Sequence, residues 1–273
     1  MDLTELGSRG IVLLGCGKMG SALLEGWLAR GLPAEAVTVL DPKPSPRLAE
    51  LARQGLRLNA GLPAAPAVCM LAVKPQMMGD AVPQVQALGG GETVFVSIAA
   101  GTPIRAFEAM LGAGTPIVRA MPNTPAAVGH GITALVGNDP AGAGALEMAE
   151  ALMSAVGETV RLESEDQMDA VTGVSGSGPA YVFHLIETLA AAGEAQGLAP
   201  DLAMKLARAT VAGAGDLAEN AAESPAQLRE NVTSPGGTTA AALAVLMDED
   251  TGFPPLLRRA VKAAADRGRE LAG

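Results

Sequence analysis

Three observations predict an α/β fold: a mostly parallel sheet in the N-terminal half, followed by an all-α C-terminal half. Short apolar runs alternate with amphipathic stretches as far as about residue 162. A glycine-rich turn follows the first of those runs directly. After Glu163 the strand signals stop and long helical segments take over. Runs of this kind separated by helical patterns are the mark of βαβ units with right-handed crossovers. The boundary is placed to give domains at 1–163 and 164–273.

In order, residues 11–14 (Ile-Val-Leu-Leu) form an apolar run ending in glycine, as a buried parallel strand does. Residues 18–30 read as a helix with Leu23, Leu24 and Trp27 on one face. Strands follow at 37–40, 67–73, 93–97 and 116–120, with helices at 47–54, 77–88 (despite Pro83) and 103–111. Residues 132–136, a helix at 143–155 and a strand at 159–162 close the first half. Beyond it, helices are expected at 181–196, 202–218, 226–230, 239–247 and 255–271. The first two are apolar nearly all round, through Val182, Phe183, Leu185, Ile186 and Leu189, then Met204, Leu206, Val211 and Ala212. Such helices need cover on every side, and a second copy of the chain is the expected cover.

Composition bounds the function. The 273 residues are 49% hydrophobic, enough for a sizeable core. A formal charge of −10 and 2% aromatic residues argue against nucleic acid and anionic membrane surfaces as partners. Two cysteines, Cys16 and Cys69, make no disulfide framework and suit a reducing, cytoplasmic setting. His130 and His184 stand apart from any Cys/His cluster, so no metal site is expected. Residues 1–10 lack the charge pattern of a signal peptide, and no uncharged apolar run reaches the roughly 18 residues of a membrane span.

Gly15-Cys-Gly-Lys-Met-Gly20 lies between a strand and a helix, the context in which such spacing marks a Rossmann-type dinucleotide turn. Gly15 permits the tight turn, Gly17 the approach of a pyrophosphate, and Gly20 close packing of helix on sheet. Asp41, about 20 residues on, ends the second strand, where an acid accepts the adenine ribose 2′-OH and favours NADH. Lys43 and Arg47 follow closely and suit the 2′-phosphate of NADPH, while Asp41 also fits a plain turn residue before Pro42. Ala72-Val-Lys-Pro-Gln76 ends another strand on the side where open α/β sheets bind ligands, with Lys74 the residue of interest. Ser97-Ile-Ala-Ala-Gly101 leaves room for a ring beside Ala99 and Ala100. In Arg119-Ala-Met-Pro-Asn-Thr-Pro125, Asn123 is either an amide donor to a ligand or a turn residue.

Asn231-Val-Thr-Ser-Pro-Gly-Gly-Thr-Thr239 carries hydroxyls and glycines, but no titratable side chain, into the start of a helix. Open N–H groups and the helix dipole make such an entrance a site for a small anion, typically a carboxylate or phosphate. Together with Val171-Thr-Gly-Val-Ser-Gly-Ser-Gly-Pro-Ala-Tyr181 and the motifs above, it stands in the order seen in pyrroline-5-carboxylate reductases, which the chain resembles along essentially its whole length.

The resemblance implies NAD(P)H-dependent reduction of the cyclic imine 1-pyrroline-5-carboxylate to L-proline. It also implies a Rossmann domain followed by a helical dimerisation domain, and homodimers that assemble further as a pentamer of dimers. It places the cofactor at Gly15, Cys16, Gly17, Lys18, Met19 and Gly20, and at Asn59, Ala72, Val73, Lys74, Pro75, Ala99, Ala100 and Asn231. Glu165, Thr172, Gly237, Thr238 and Thr239 fall at substrate positions. A protonated imine is already electrophilic, so a hydroxyl near its nitrogen can serve, and Thr239 is the expected hydrogen-bond partner or proton donor. Glu165 would favour a cationic nitrogen or cap a helix; Ser177 would orient the nicotinamide amide or shape a turn. A β-hydroxyacid dehydrogenase is the nearest alternative, but the positions of its catalytic lysine and asparagine hold Val182 and Ile186 here. A nucleotide-binding regulatory protein without turnover is the other.

Overall fold

The computed structural model describes residues 3–272; residues 1, 2 and 273, at the ends of the two expected domains, lie outside the described residues. The first elements are α1 (Leu3–Arg9), β1 (Ile11–Leu14), α2 (Lys18–Ala29), β2 (Val37–Leu40), α3 (Pro46–Arg53), β3 (Arg57–Leu58) and β4 (Val68–Leu71). Then come α4 (Met78–Ala81), β5 (Val94–Ser97), α5 (Ile104–Leu111), β6 (Ile117–Met121), β7 (Gly131–Gly137), α6 (Gly142–Met153) and β8 (Gly157–Arg161). The remainder is helical: α7 (Met168–Val171), α8 (Gly178–Ala195), α9 (Pro200–Asn220), α10 (Pro225–Asn231), α11 (Thr238–Leu246) and α12 (Phe253–Ala272).

The eight strands form one sheet in the order β3-β2-β1-β4-β5-β6-β7-β8, parallel except where β7 runs antiparallel to β6. The stretch between β6 and β7 holds only a 3-10 turn (Thr124–Val128), too short for the crossover that a parallel return requires. Side chains alternate through the sheet. Ile11, Leu13, Val37, Val39, Val68 and Met70 pack with Leu23, Leu24 and Trp27 of α2 and with Leu48 and Leu51 of α3. Val12, Leu14, Cys69 and Leu71 face the other way, against Met78, Val82 and Phe107. Each such large side chain contributes about 1.5–3 kcal/mol by leaving water. Trp27 is fully buried, and its indole N–H donates to the Leu152 carbonyl at 2.9 Å, tying α2 to α6.

Three local departures from expectation have plain causes. The helix expected at 77–88 is only the four-residue α4, flanked by 3-10 turns at Pro75–Met77, Val82–Gln84 and Gln86–Leu88. Pro83 has no N–H for an α-helical ladder. β3 and α1 are additional, β3 being a two-residue edge strand. The glycine- and serine-rich stretch after Val171 is a wide π-helical turn, Thr172–Gly176, leading from α7 towards α8.

The described chain divides into two compact units. One comprises the residues up to Gly176 and those from Ala264 onward; the other is Ser177–Ala263. Within the second unit, Ala190 of α8 and Ala203 and Ala207 of α9 form a small buried contact with Ile186 packed on it. Val182, Phe183, Leu185 and Leu189 of α8 and Leu202 and Leu206 of α9 are exposed on the single chain. That is a large apolar surface for a monomer to leave in water.

Candidate active site

The carboxyl ends of the parallel strands gather the expected dinucleotide positions of the first unit on one edge of the sheet. The Gly15 N–H donates to the Leu40 carbonyl, Ala72 to Leu14, Asn59 to Val39 and Ile98 to Leu71, so β1, β2, β3, β4 and β5 end side by side. β1 lies between β2 and β4, the point where the strand order reverses and where open α/β sheets bind ligands. Gly15 has φ 87°, and a Cβ there would stand 2.6 Å from Val73 Cγ1. A Cβ on Gly20 would stand 2.6 Å from the Gly15 carbonyl oxygen, so helix and turn touch backbone to backbone. At Gly17 nothing lies within 4 Å of that position.

Gly17 is also the N-cap of α2 and offers no side-chain acceptor; the helical ladder begins with Ser21 N–H to Gly17 O. The N–H groups of Lys18, Met19 and Gly20 therefore face outward, and the open space at Gly17 admits a phosphate to them. A dinucleotide fits this turn. Lys74 is exposed, with Pro75 opening a short turn after it; Ala99 is buried and Ala100 exposed.

Asp41 is tied into this corner. One carboxylate oxygen accepts the Cys16 N–H at 2.8 Å, and the other accepts the Lys43 N–H at 2.8 Å. Asn59, in the left-handed region at φ 49°, brackets the Asp41 backbone. Its amide oxygen accepts the Asp41 N–H and its amide nitrogen donates to the Asp41 carbonyl, both at 2.9 Å. The Cys16 thiol lies 3.5 Å from the Ser21 hydroxyl. Burial pushes its pKa up, the Ser21 contact offsets part of this, and the nearby Asp41 and Glu25 charges add to the rise.

Glu165 sits elsewhere in the same unit, and its carboxylate is already engaged. Its Oε1 accepts the Ile104 N–H at the start of α5 at 2.9 Å and Arg119 Nη1 at 2.7 Å. Arg119 is 4% exposed, in the middle of β6. Sequence reasoning gave Arg119 no role, although a lone arginine inside the run Ile117–Met121 was a signal for a buried partner. The Thr172 hydroxyl donates to the Met168 carbonyl at 2.9 Å. The Asn123 side-chain oxygen accepts the Ile132 N–H, a turn role.

Asn231, Gly237, Thr238 and Thr239 belong to the second unit. The Asn231 side-chain oxygen accepts from Gln227 at 3.0 Å. Gly236, at φ 67°, turns the chain, and the Gly237 N–H donates to the Ser234 carbonyl at 3.0 Å. Gly237 caps α11 without a side-chain acceptor, and the ladder starts with Ala241 N–H to Gly237 O. This leaves the N–H groups of Thr238, Thr239 and Ala240 as the donors pointing out of the helix, at the positive end of its dipole. Thr239 is half-buried in that first turn. His184 lies on α8 with Glu187 one turn on, 3.2 Å away and exposed. Val182 and Ile186 offer no proton-transfer group.

Among the described residues no three His, Cys, Asp or Glu side chains gather as a metal site, and no helix is long and apolar enough to cross a membrane.

Comparison with known proteins gives matches to both halves. Residues 165–271 match a family described as pyrroline-5-carboxylate reductase dimerisation, and residues 10–101 one described as NADP oxidoreductase, coenzyme F420-dependent. The pyrroline-5-carboxylate reductase of Pseudomonas aeruginosa is 41% identical over 265 residues, covering 96% of each chain. The solved structure of a pyrroline-5-carboxylate reductase from Coxiella burnetii superposes with a TM-score of 0.90 at 34% identity, covering 97% of this chain and 99% of that one. That of Plasmodium falciparum pyrroline carboxylate reductase, with NADP bound, gives 0.82 at 28%, covering 98% and 99%.

Proposed function

This chain belongs to the pyrroline-5-carboxylate reductase family, and on that premise we infer that it reduces 1-pyrroline-5-carboxylate to L-proline with NAD(P)H, as a homodimer. The observation that carries the activity is the 41% identity to the Pseudomonas aeruginosa enzyme across 96% of both chains. When bound, the dinucleotide supplies a hydride from its nicotinamide ring, accepted by the imine carbon.

The roles of the chain's own residues are our proposal. Gly15 to Gly20 hold the pyrophosphate, through the outward N–H groups of Lys18, Met19 and Gly20 at the start of α2. Asp41, braced by Asn59, receives the adenine ribose; Ala72, Val73, Lys74, Pro75, Ala99 and Ala100 border the same edge. Asn231 is a cofactor position that only the family resemblance supports.

The substrate carboxylate is held by the N–H groups of Thr238, Thr239 and Ala240, with Gly237 turning the chain into them. The Thr239 hydroxyl is the hydrogen-bond partner or proton donor of the ring nitrogen, and Thr172 is a substrate position that only the family resemblance supports. Glu165 acts through Arg119 and the start of α5, to which its carboxylate is bonded. The exposed apolar faces of α8 and α9 are the surface that the second subunit covers. A pentamer of dimers in the cytoplasm completes the proposal, and light scattering on the purified protein measures the assembly.

Turnover tests the activity: loss of reduced-nicotinamide absorbance is expected on adding 1-pyrroline-5-carboxylate with at least one of NADH and NADPH. Silence with both removes the reductase reading.

A further inference from the structure

Lys43 and Arg47 both follow the ribose-reading Asp41, yet the structure treats them differently. The Lys43 side chain is exposed, with no acidic partner among the described residues. Arg47, in the first turn of α3, has its guanidinium occupied. Nε donates to Glu25 Oε1 at 2.7 Å and Nη2 to Glu25 Oε2 at 3.1 Å, while Nη1 donates to Glu50 Oε2 at 3.0 Å. The two-pronged face given to Glu25 is the one with which an arginine clasps a phosphate. The Arg47 hydrogen bond holds the Glu25 carboxyl below its usual range, so Glu25 is charged at neutral pH. Asp41 contributes a further negative charge, its two oxygens bonded to main-chain N–H groups of Cys16 and Lys43. Three carboxylates thus stand against two cations where α2, α3 and the end of β2 carry them. An adenosine 2′-phosphate would bring about two more negative charges there.

We infer that Glu25 is a specificity-determining residue: by occupying the fork of Arg47 it withholds that arginine from a 2′-phosphate and biases the chain towards the 2′-hydroxyl dinucleotide, NADH. This rests on the dinucleotide site proposed above. The two side chains are 48% and 44% exposed, so the clasp is screened and reversible. It sets a bias and leaves NADPH usable.

The test is the ratio of kcat/KM with NADPH to that with NADH in the wild type, Glu25→Gln, and Glu25→Gln combined with Arg47→Ala. Glu25→Gln should raise the ratio about fivefold, and adding Arg47→Ala should abolish the gain. A ratio unchanged in Glu25→Gln overturns the inference. So does a gain that persists without Arg47, since charge removal alone would then explain it. Glu25 is a surface residue of α2, and Glu25→Ala, expected to show the same rise, guards against an effect peculiar to glutamine. Dissociation constants for the two dinucleotides, read from nicotinamide fluorescence, give the same ratio without turnover. A chain that binds both but reduces nothing would defeat the reductase reading and still decide the role of Glu25; one that binds neither would overturn both.

Discussion

Replacing Glu165 by alanine should loosen the first unit more than any surface change to it. The carboxylate makes a 2.7 Å bond to the Arg119 guanidinium and a 2.9 Å bond to the Ile104 N–H. Removing it leaves the arginine, 4% exposed, as an unpaired charge inside the sheet, and leaves the start of α5 without its acceptor. Breaking a fully buried pair costs about 3–5 kcal/mol. Glu165 retains 30% of its side-chain exposure, so water can reach part of the vacated site, and about 3 kcal/mol is the fitting figure. For a protein of this size that lowers the unfolding midpoint by about 6–12 °C. Circular dichroism against temperature reads it directly. Arg119→Met combined with Glu165→Ala should recover much of the loss, because no charge is then stranded. A midpoint within about 2 °C of wild type in the single variant would refute this account. Raised KM for the imine with unchanged stability would mean that Glu165 touches substrate instead.

Three other outcomes follow from the site. If the hydroxyl acts on the substrate nitrogen as proposed, Thr239→Val should lower kcat about a hundredfold while leaving dinucleotide affinity nearly unchanged; wild-type turnover would defeat that assignment. Asp41→Ser should move the cofactor ratio about tenfold towards NADPH, and an unchanged ratio would mean that Asp41 does not read the ribose. Burial raises both thiol pKa values, with Cys69 fully enclosed, so thiolate is scarce in the folded chain. A thiol reagent at about pH 8 should label neither cysteine in the native protein and both after denaturation; rapid native labelling would contradict the packing.

Much of this was legible in the sequence because it is local. Short continuous apolar runs marked β1, β2, β4, β5 and β6, and the spacing from Gly15 to Gly20 marked the turn. The start of α11 was legible for the same reason, as glycines and threonines ahead of an apolar helix. What escaped depends on distant partners. Nothing near Glu165 announces Arg119 on β6, and nothing near Arg47 announces Glu25 on another helix. β3 is too short to show a period, and the reversal of β7 is decided by what its loop can span. Asn59 came from family likeness, and its left-handed backbone and paired hydrogen bonds with the Asp41 main chain supply a physical reason for that residue type.

The single indole has a practical corollary. Trp27 belongs to the sheet-bearing unit and Tyr181, the single tyrosine, to the helical one. Excitation selective for tryptophan therefore watches α2 leave its contact with Leu152 and is blind to events confined to α8 and α9. Set beside the far-ultraviolet helical signal, that one chromophore separates sheet melting from subunit-face melting without a label being introduced.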